Sequence, residues 1–295
     1  MGFIHPGALK GSIMINKTFN LSPEYPGATI TAYIVDNTPE LKLLPRRAVV
    51  VCPGGGYHFL SDREAEPIVM QFLAANMNVF LLRYTVGQQK TETNAGAVGY
   101  APLIEAGLAI KFVRDHAAEY STDPEKVFIL GFSAGGHVAA SAGTLWNIPE
   151  VRDAIGVSAG ECPEGINRPD GTILCYPVIT GGDKAHKGSV KNFSGHNDLT
   201  DEDIERFSLE LHVDDTTAPA FIWHTASDAT VPVENSLMYA TALSAHKIPF
   251  ELHVFPAGKH GLSLCNEFTY SQNPASIVPH AACWIDLAVR WAKEF

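Results

Sequence analysis

The chain lacks several features that would point its function elsewhere. It has no basic run that could track phosphates, and 21 Lys and Arg against 32 Asp and Glu give a formal net charge of -11. Nucleic acid and anionic membrane surfaces are therefore poor partners. No apolar run reaches roughly 18 residues, the length a spanning helix needs. The opening stretch, MGFIHPGALKGSIMINKTFNL, has no positively charged segment leading into an apolar one, so it does not read as a secretory leader and the expected location is cytoplasmic. Cysteine is scarce: Cys52, Cys162, Cys175, Cys265 and Cys283 are odd in number and show neither Cys-x-x-Cys nor a zinc-ligand spacing. A disulfide framework and a cysteine-built metal site are not expected. Cys52 and Cys175, inside AVVVCP and TILCYPVI, read as small core residues. No internal repeat, low-complexity tract or long linker divides the 295 residues, and one domain spanning 1–295 is expected.

What is present is ordinary globular composition, 46% hydrophobic and 18% charged, enough to bury a large core. Short β-branched runs alternate with helical patterns, which predicts an α/β fold with a mostly parallel central sheet and helices on both faces. The strand candidates are 48–53, 78–85, 126–132, 172–179, 219–226 and 250–256. Their nearly continuous apolar character places them in a sheet covered on both sides. Ile104, Leu108, Ala109, Phe112 and Val113 recur at helical spacing, as do Leu237, Ala240 and Leu243 in a segment beginning near Glu234. Ser61 with Glu64 resembles a capping box that opens a helix through Met70 and Leu73. A last helix is expected from near Pro279 through Trp284, Leu287 and Trp291. The polar stretch at about 180–219 is longer than a simple connection requires. It reads as a loop with one short helix after Thr200, lying over the end of the sheet where ligands bind in open α/β folds.

Two segments, GFSAG ending at Gly135 and GVSAG ending at Gly160, match Gly-x-Ser-x-Gly, the pattern of a strand-to-helix turn that exposes a serine hydroxyl. Ser133 follows the strand-like VFILG and precedes a stretch in which Val138, Ala142 and Leu145 form one helical face. Gly131 and Gly135 stand where backbones must approach too closely for side chains. Ser158 runs instead into ECPEGINRPDG, whose prolines and glycines forbid a helix. Ser133 is the candidate nucleophile and Ser158 a turn residue.

A serine hydroxyl needs a base to take its proton and a carboxylate to orient that base. On this kind of fold they follow in the order serine, carboxylate, histidine, each on a loop after a later strand. Asp228, in WHTASDATVP, and His260, in FPAGKHGLSL, fit best. His253 and His280 remain as alternative bases, and Asp214 and Asp215 as alternative carboxylates. His137, about one helical turn beyond Ser133, reads as a packing or hydrogen-bonding residue under the site. Consecutive glycines after the first strong strand, in CPGGGYHF, can aim N–H groups into a cavity. Gly55, Gly56 and Ala134 are the candidate oxyanion donors. Tyr57, Tyr100 and Trp146 are aromatic residues that a sugar site could use, and packing residues otherwise.

With these pieces assembled, PGGGY, SDREAEP, GFSAGGHVA, YPVIT, FIWHTASDATVPVENSLMYATAL and PFELHVFPAGKHGLSL resemble the α/β-hydrolase superfamily, and within it the acetylxylan esterase-like carbohydrate esterases. The similarity runs from about Thr29 to the end. One departure is Pro53, where many lipases and esterases carry His before the glycines. The resemblance implies removal of acetyl groups from xylan fragments or related sugars without metal or organic cofactor. In it Ser133 attacks, His260 shuttles the proton and Asp228 holds His260. The expected partner is a small acetylated saccharide. A general short-chain carboxylesterase, a serine peptidase and a noncatalytic binding protein are the rival readings.

Overall fold

Apolar strand segments bury their side chains on both faces only if their backbone N–H and C=O groups are paired within a sheet. The computed structural model describes residues 14–87, 97–270 and 272–295. In chain order the elements are β1 (Met14–Asn20), β2 (Thr29–Val35), β3 (Arg46–Cys52), α1 (Glu66–Ala74), β4 (Asn78–Arg83), α2 (Ala101–Asp115), β5 (Thr122–Phe132), α3 (Ala134–Thr144), α4 (Pro149–Ile155) and β6 (Gly171–Cys175). There follow α5 (Lys187–Ser194), α6 (Asp201–Phe207), β7 (Ala220–Thr225), α7 (Glu234–Ala245), β8 (Phe250–Phe255), α8 (Pro279–Ala282) and α9 (Trp284–Glu294). The eight strands make one sheet in the order β1-β2-β4-β3-β5-β6-β7-β8. Pairings β1–β2 and β2–β4 are antiparallel and the others parallel.

Alternation along the central strands builds two cores. Val49 and Val51 of β3, with Phe128 and Leu130 of β5, face Ile68 and Phe72 of α1 and Trp284 and Trp291 of α9. Val50 and Ile129 point the other way, toward Ile110 of α2, Val138 of α3 and Leu243 of α7. All six expected strands form. The two additional ones, β1 and β2, were not expected: β1 is mostly solvent-exposed and carries no apolar run.

Four expectations need correction. TILCYPVI is strand only to Cys175, because Tyr176 turns the chain at φ 38 and Pro177 has no N–H for a ladder. Ser61 and Glu64 form no capping box: Ser61 precedes a single 3-10 turn, Asp62–Glu64, without a side-chain cap, and the Glu64 carboxylate is used elsewhere. The final helix is broken at Cys283 into α8 and α9. The stretch at 180–219 holds two helices rather than one, α5 and α6, followed by a 3-10 turn, Leu209–Leu211. A capping box between Thr200 and Asp203 starts α6. Among the described residues no helix is long and apolar enough to cross a membrane.

Candidate active site

The parallel register sets the carboxyl ends of the central strands side by side. Cys52 of β3 pairs with Gly131 of β5, Phe132 with Cys175 of β6, Cys175 with Trp223 of β7, and Thr225 with Phe255 of β8. The loops that leave these ends therefore converge, and they carry the glycine run, Ser133, Asp228 and His260.

Ser133 occupies the turn between β5 and α3 with φ 52 and ψ -115. A non-glycine residue in that region carries strain of order 1–3 kcal/mol, sustained only if its surroundings hold it. They do: Ser133 donates its N–H to Cys175 O at 3.0 Å and accepts from Val178 N at 3.0 Å and His137 N at 3.1 Å. A Cβ on Gly131 would run into the Gly135 carbonyl, and one on Gly135 into the carbonyls of Cys52 and Pro53. Ser158, by contrast, lies exposed in the turns after α4.

The structure brings Ser133, His260 and Asp228 together. His260 Nε2 is 2.8 Å from Ser133 Oγ, and His260 Nδ1 is 2.6 Å from Asp228 Oδ2. The other Asp228 oxygen accepts the N–H groups of Thr230 at 2.9 Å and Val231 at 3.0 Å. Burial works to raise the Asp228 pKa, but hydrogen bonds from His224 and His260, the charge of His260 and the Val231 N–H outweigh it and hold it well below the usual range. An ionised Asp228 accepts only, so Nδ1 of His260 carries the proton and Nε2 is left to accept from the serine hydroxyl. That is the arrangement a nucleophilic serine requires.

His224, on β7, escaped the sequence reading. It is fully buried, with Nδ1 2.8 Å from Ser236 Oγ and Nε2 3.0 Å from Val231 O. The carbonyl fixes the proton on Nε2, which also lies 3.4 Å from Asp228 Oδ2. A histidine in the middle of an apolar strand was the available signal, since its ring nitrogens must find partners when buried.

The alternatives lie elsewhere. His253 bonds Glu251 at 2.6 Å on β8, and His280 packs edge-on to Phe255. Asp214 accepts from Thr216, and Asp215 pairs with His246 at the surface. His137 is buried below the site as expected, its Nε2 2.9 Å from Phe207 O and its Nδ1 2.7 Å from the Tyr57 hydroxyl.

After β3 the glycine run turns sharply, with Gly55 at φ 136 and Gly56 at φ 64. Among the described residues no acceptor takes the N–H groups of Gly55 and Gly56. Ala134 is the first residue of α3, so its N–H has no partner within the helix. Gly55 and Gly56 line one cavity with Ser133, and Ala134 follows it in the chain. The run is held from outside: Gly54 donates to Glu64 Oε2 at 3.0 Å, Asn192 Nδ2 to Gly56 O at 2.8 Å, and the Tyr84 hydroxyl to Pro53 O at 2.6 Å. The loop and the Ser133–His260 pair open into a cavity of about 400 Å³, within the range of small-molecule sites. None of Tyr57, Tyr100 and Trp146 lines it. Tyr57 is buried against His137, Tyr100 packs on Phe193, and Trp146 bonds Thr216 O. Phe59, Arg63, His186 and Asn192 line it instead, Asn192 from the helix α5 and His186 from its N-terminal cap, an element the sequence does not announce. Among the described residues no cluster of His, Cys, Asp and Glu is arranged to hold a metal ion.

Residues 37–243 match the protein family described as BD-FAE. The chain belongs to the BD-FAE family. Proteins similar to this chain include endo-1,4-beta-xylanase B of Butyrivibrio fibrisolvens, 42% identical over 77% of this chain and 34% of that one. An acetylxylan esterase of Xylanibacter ruminicola is 31% identical over 76% of this chain and 42% of its own length. This BD-FAE chain thus spans well under half the length of both curated relatives. Among solved structures, an acetyl ester-xyloside bifunctional hydrolase from Caldicellulosiruptor lactoaceticus superposes with a TM-score of 0.75 at 32% identity, covering 97% of this chain and 98% of that one. The fold is that of the α/β-hydrolases.

Proposed function

We propose that this chain is a serine esterase that removes acetyl groups from acetylated xylo-oligosaccharides or related sugars. The observation that carries the reading is the continuous relay from Ser133 Oγ through His260 to Asp228, opening into one cavity that Gly55 and Gly56 also line. Relatives named for xylan and acetylxylan chemistry support this choice of substrate class.

In this mechanism Ser133 Oγ attacks the acetyl carbonyl while His260 Nε2 takes its proton. The carbonyl oxygen becomes negative and is met by the N–H groups of Gly55, Gly56 and Ala134, whose loss one at a time typically costs about 3–4 kcal/mol in the barrier. His260 returns the proton to the departing sugar oxygen, leaving Ser133 acetylated. Water activated by the same histidine attacks this ester, and acetate leaves with the serine restored. Asp228 holds the His260 tautomer throughout and stabilises its positive charge. The residues need no metal or organic cofactor for these steps, and neither nucleic acid nor a membrane takes part.

The test is acetate release from acetylated xylo-oligosaccharides by the purified protein, with Ser133→Ala and p-nitrophenyl esters of increasing acyl length beside it. Release that falls by about 10⁴–10⁶-fold in Ser133→Ala is the expected result. Turnover confined to the synthetic esters would instead favour a general short-chain carboxylesterase.

A further inference from the structure

Part of the cavity wall comes from His186, at the start of α5, and from Asn192 within that helix, two polar side chains of defined hydrogen-bonding polarity. His186 immediately precedes α5, and its Nδ1 lies 3.2 Å from Ser189 N and 2.8 Å from Ser189 Oγ. A backbone N–H can only donate, so Nδ1 is the acceptor and the neutral ring carries its proton on Nε2. Burial, then the nearby charge of His260, push the His186 pKa below the ordinary histidine value, with Asp228 opposing, which keeps this tautomer neutral. Among the described residues nothing accepts the Nε2 proton. From the same helix, Asn192 spends its Nδ2 on Gly56 O, which leaves its Oδ1 as an acceptor. Both residues line the cavity with Ser133 and His260. The wall sits directly on the oxyanion loop, since a Cβ on Gly56 would lie 3.8 Å from the His186 ring and from Ser189 Oγ.

An acetyl group extends only one methyl beyond its carbonyl, so most of the cavity must house the alcohol half of the ester. A donor and an acceptor on that wall offer nothing to an alkyl alcohol, which would only strip them of water. Neighbouring hydroxyl groups match them.

Building on the esterase reading above, we propose that His186 Nε2–H and Asn192 Oδ1 form an alcohol-side subsite that reads hydroxyl groups, making the enzyme selective for esters of polyhydroxy alcohols whatever the sugar. The experiment compares kcat/KM for glyceryl monoacetate and propyl acetate, two esters of the same acid on alcohols of equal carbon number. The unmodified protein should favour the glyceryl ester by about tenfold or more, as expected for a site built to bond a substrate hydroxyl. His186→Asn keeps a side-chain oxygen to cap the Ser189 N–H but removes the Nε2 donor. It should bring the ratio toward one, chiefly by raising KM for the glyceryl ester. A ratio near one in the unmodified protein overturns the proposal without needing the variant, as does a ratio unchanged in a folded His186→Asn protein. Turnover of both esters without preference leaves the esterase reading intact and removes only the subsite. Turnover of neither ester, nor of any sugar acetate, removes the esterase reading and this inference with it.

Discussion

Glu64 Oε2 accepts the N–H of Gly54 at 3.0 Å while its Oε1 accepts the hydroxyl of Tyr176 at 2.7 Å. The carboxyl is almost fully buried, and Tyr176 in turn accepts the Ser263 N–H at 2.9 Å. One side chain thus joins the glycine loop after β3, the turn after β6 and the segment just beyond His260. The Tyr176 ring also meets the His260 ring edge-on at 5.1 Å. The glycine run proposed to supply the oxyanion donors and the candidate base His260 are thus held through the same buried group.

Replacing Glu64 with Ala should therefore injure catalysis and stability together. It strands a buried N–H and a buried hydroxyl, each costing about 1–3 kcal/mol. Glu64→Gln keeps the volume and one acceptor oxygen, so it should fall between. Urea unfolding and the kcat of each variant on a p-nitrophenyl ester would measure both effects. Unchanged kcat in a folded Glu64→Ala protein would show that the glycine loop holds its shape alone.

Asp228→Asn should lower kcat by roughly 10³–10⁴-fold. The amide would present a donor to His260 Nδ1 or leave it without a charged acceptor, so the ring no longer offers a free Nε2 to Ser133. His224 Nε2 also faces Asp228 at 3.4 Å and already bonds Val231 O, so the pocket cannot simply reverse the amide. The depressed Asp228 pKa adds a second readout. A carboxylate held below its unfolded value of about 3.9 stabilises the fold above that pH and withdraws the contribution as pH falls beneath it. Acid unfolding of Asp228→Asn should accordingly be shallower below about pH 4.

Gly131→Ala tests the elbow itself. A methyl there would overlap the Gly135 carbonyl and approach Gly136 N at 2.7 Å, and neither backbone atom can move without opening the β5–α3 junction. The variant should lose several kcal/mol, at the upper end of single-residue effects, and be recovered largely insoluble. A soluble variant with normal melting temperature would contradict the close approach described here. Gly160→Ala, in the second Gly-x-Ser-x-Gly segment, meets nothing within 4 Å though its φ is 73, and should be far milder.

The relay was legible in the sequence because each member follows a strand whose apolar run marks it: Ser133 after VFILGF, Asp228 after FIWHT, His260 after ELHVF. The position of the glycine run was legible for the same reason, since it follows the apolar β3. What escaped depended on tertiary partners. Glu64 sits at capping-box spacing from Ser61, yet the buried Gly54 N–H and Tyr176 hydroxyl claim its carboxylate, a competition invisible in local spacing. His224 gives no local signal of what its ring bonds, because its two partners, Val231 and Ser236, come from the following loop and α7. Helix α5 was hidden by its polar KGSVKNFS sequence, whose stability comes from burying Val190 and Phe193 against the rest of the fold rather than from intrinsic propensity. The strand β1 forms an exposed antiparallel edge with no apolar run, whereas β2 buries Ile30, Ala32 and Ile34 in a strand interrupted by Thr29 and Thr31.

His137 gives the fold a pH dependence separate from catalysis. Burial pushes its pKa down to about 4, against the modest opposing effect of the Phe207 carbonyl. Its Nε2–H donates to that carbonyl and its Nδ1 accepts from Tyr57, so both nitrogens are satisfied only in the neutral ring. An unfolded chain takes up this proton near pH 6.5 and the folded one does not until near pH 4. Between those values the unfolded state binds more protons, so stability rises with pH and is lost as pH falls. The full difference amounts to about 3 kcal/mol at most. Urea midpoints measured at pH 7.0 and 4.5 should therefore drop more for the unmodified protein than for His137→Gln, which starts less stable at pH 7 but has no ring to titrate. Equal drops in the two proteins would assign the acid sensitivity to the carboxylates instead.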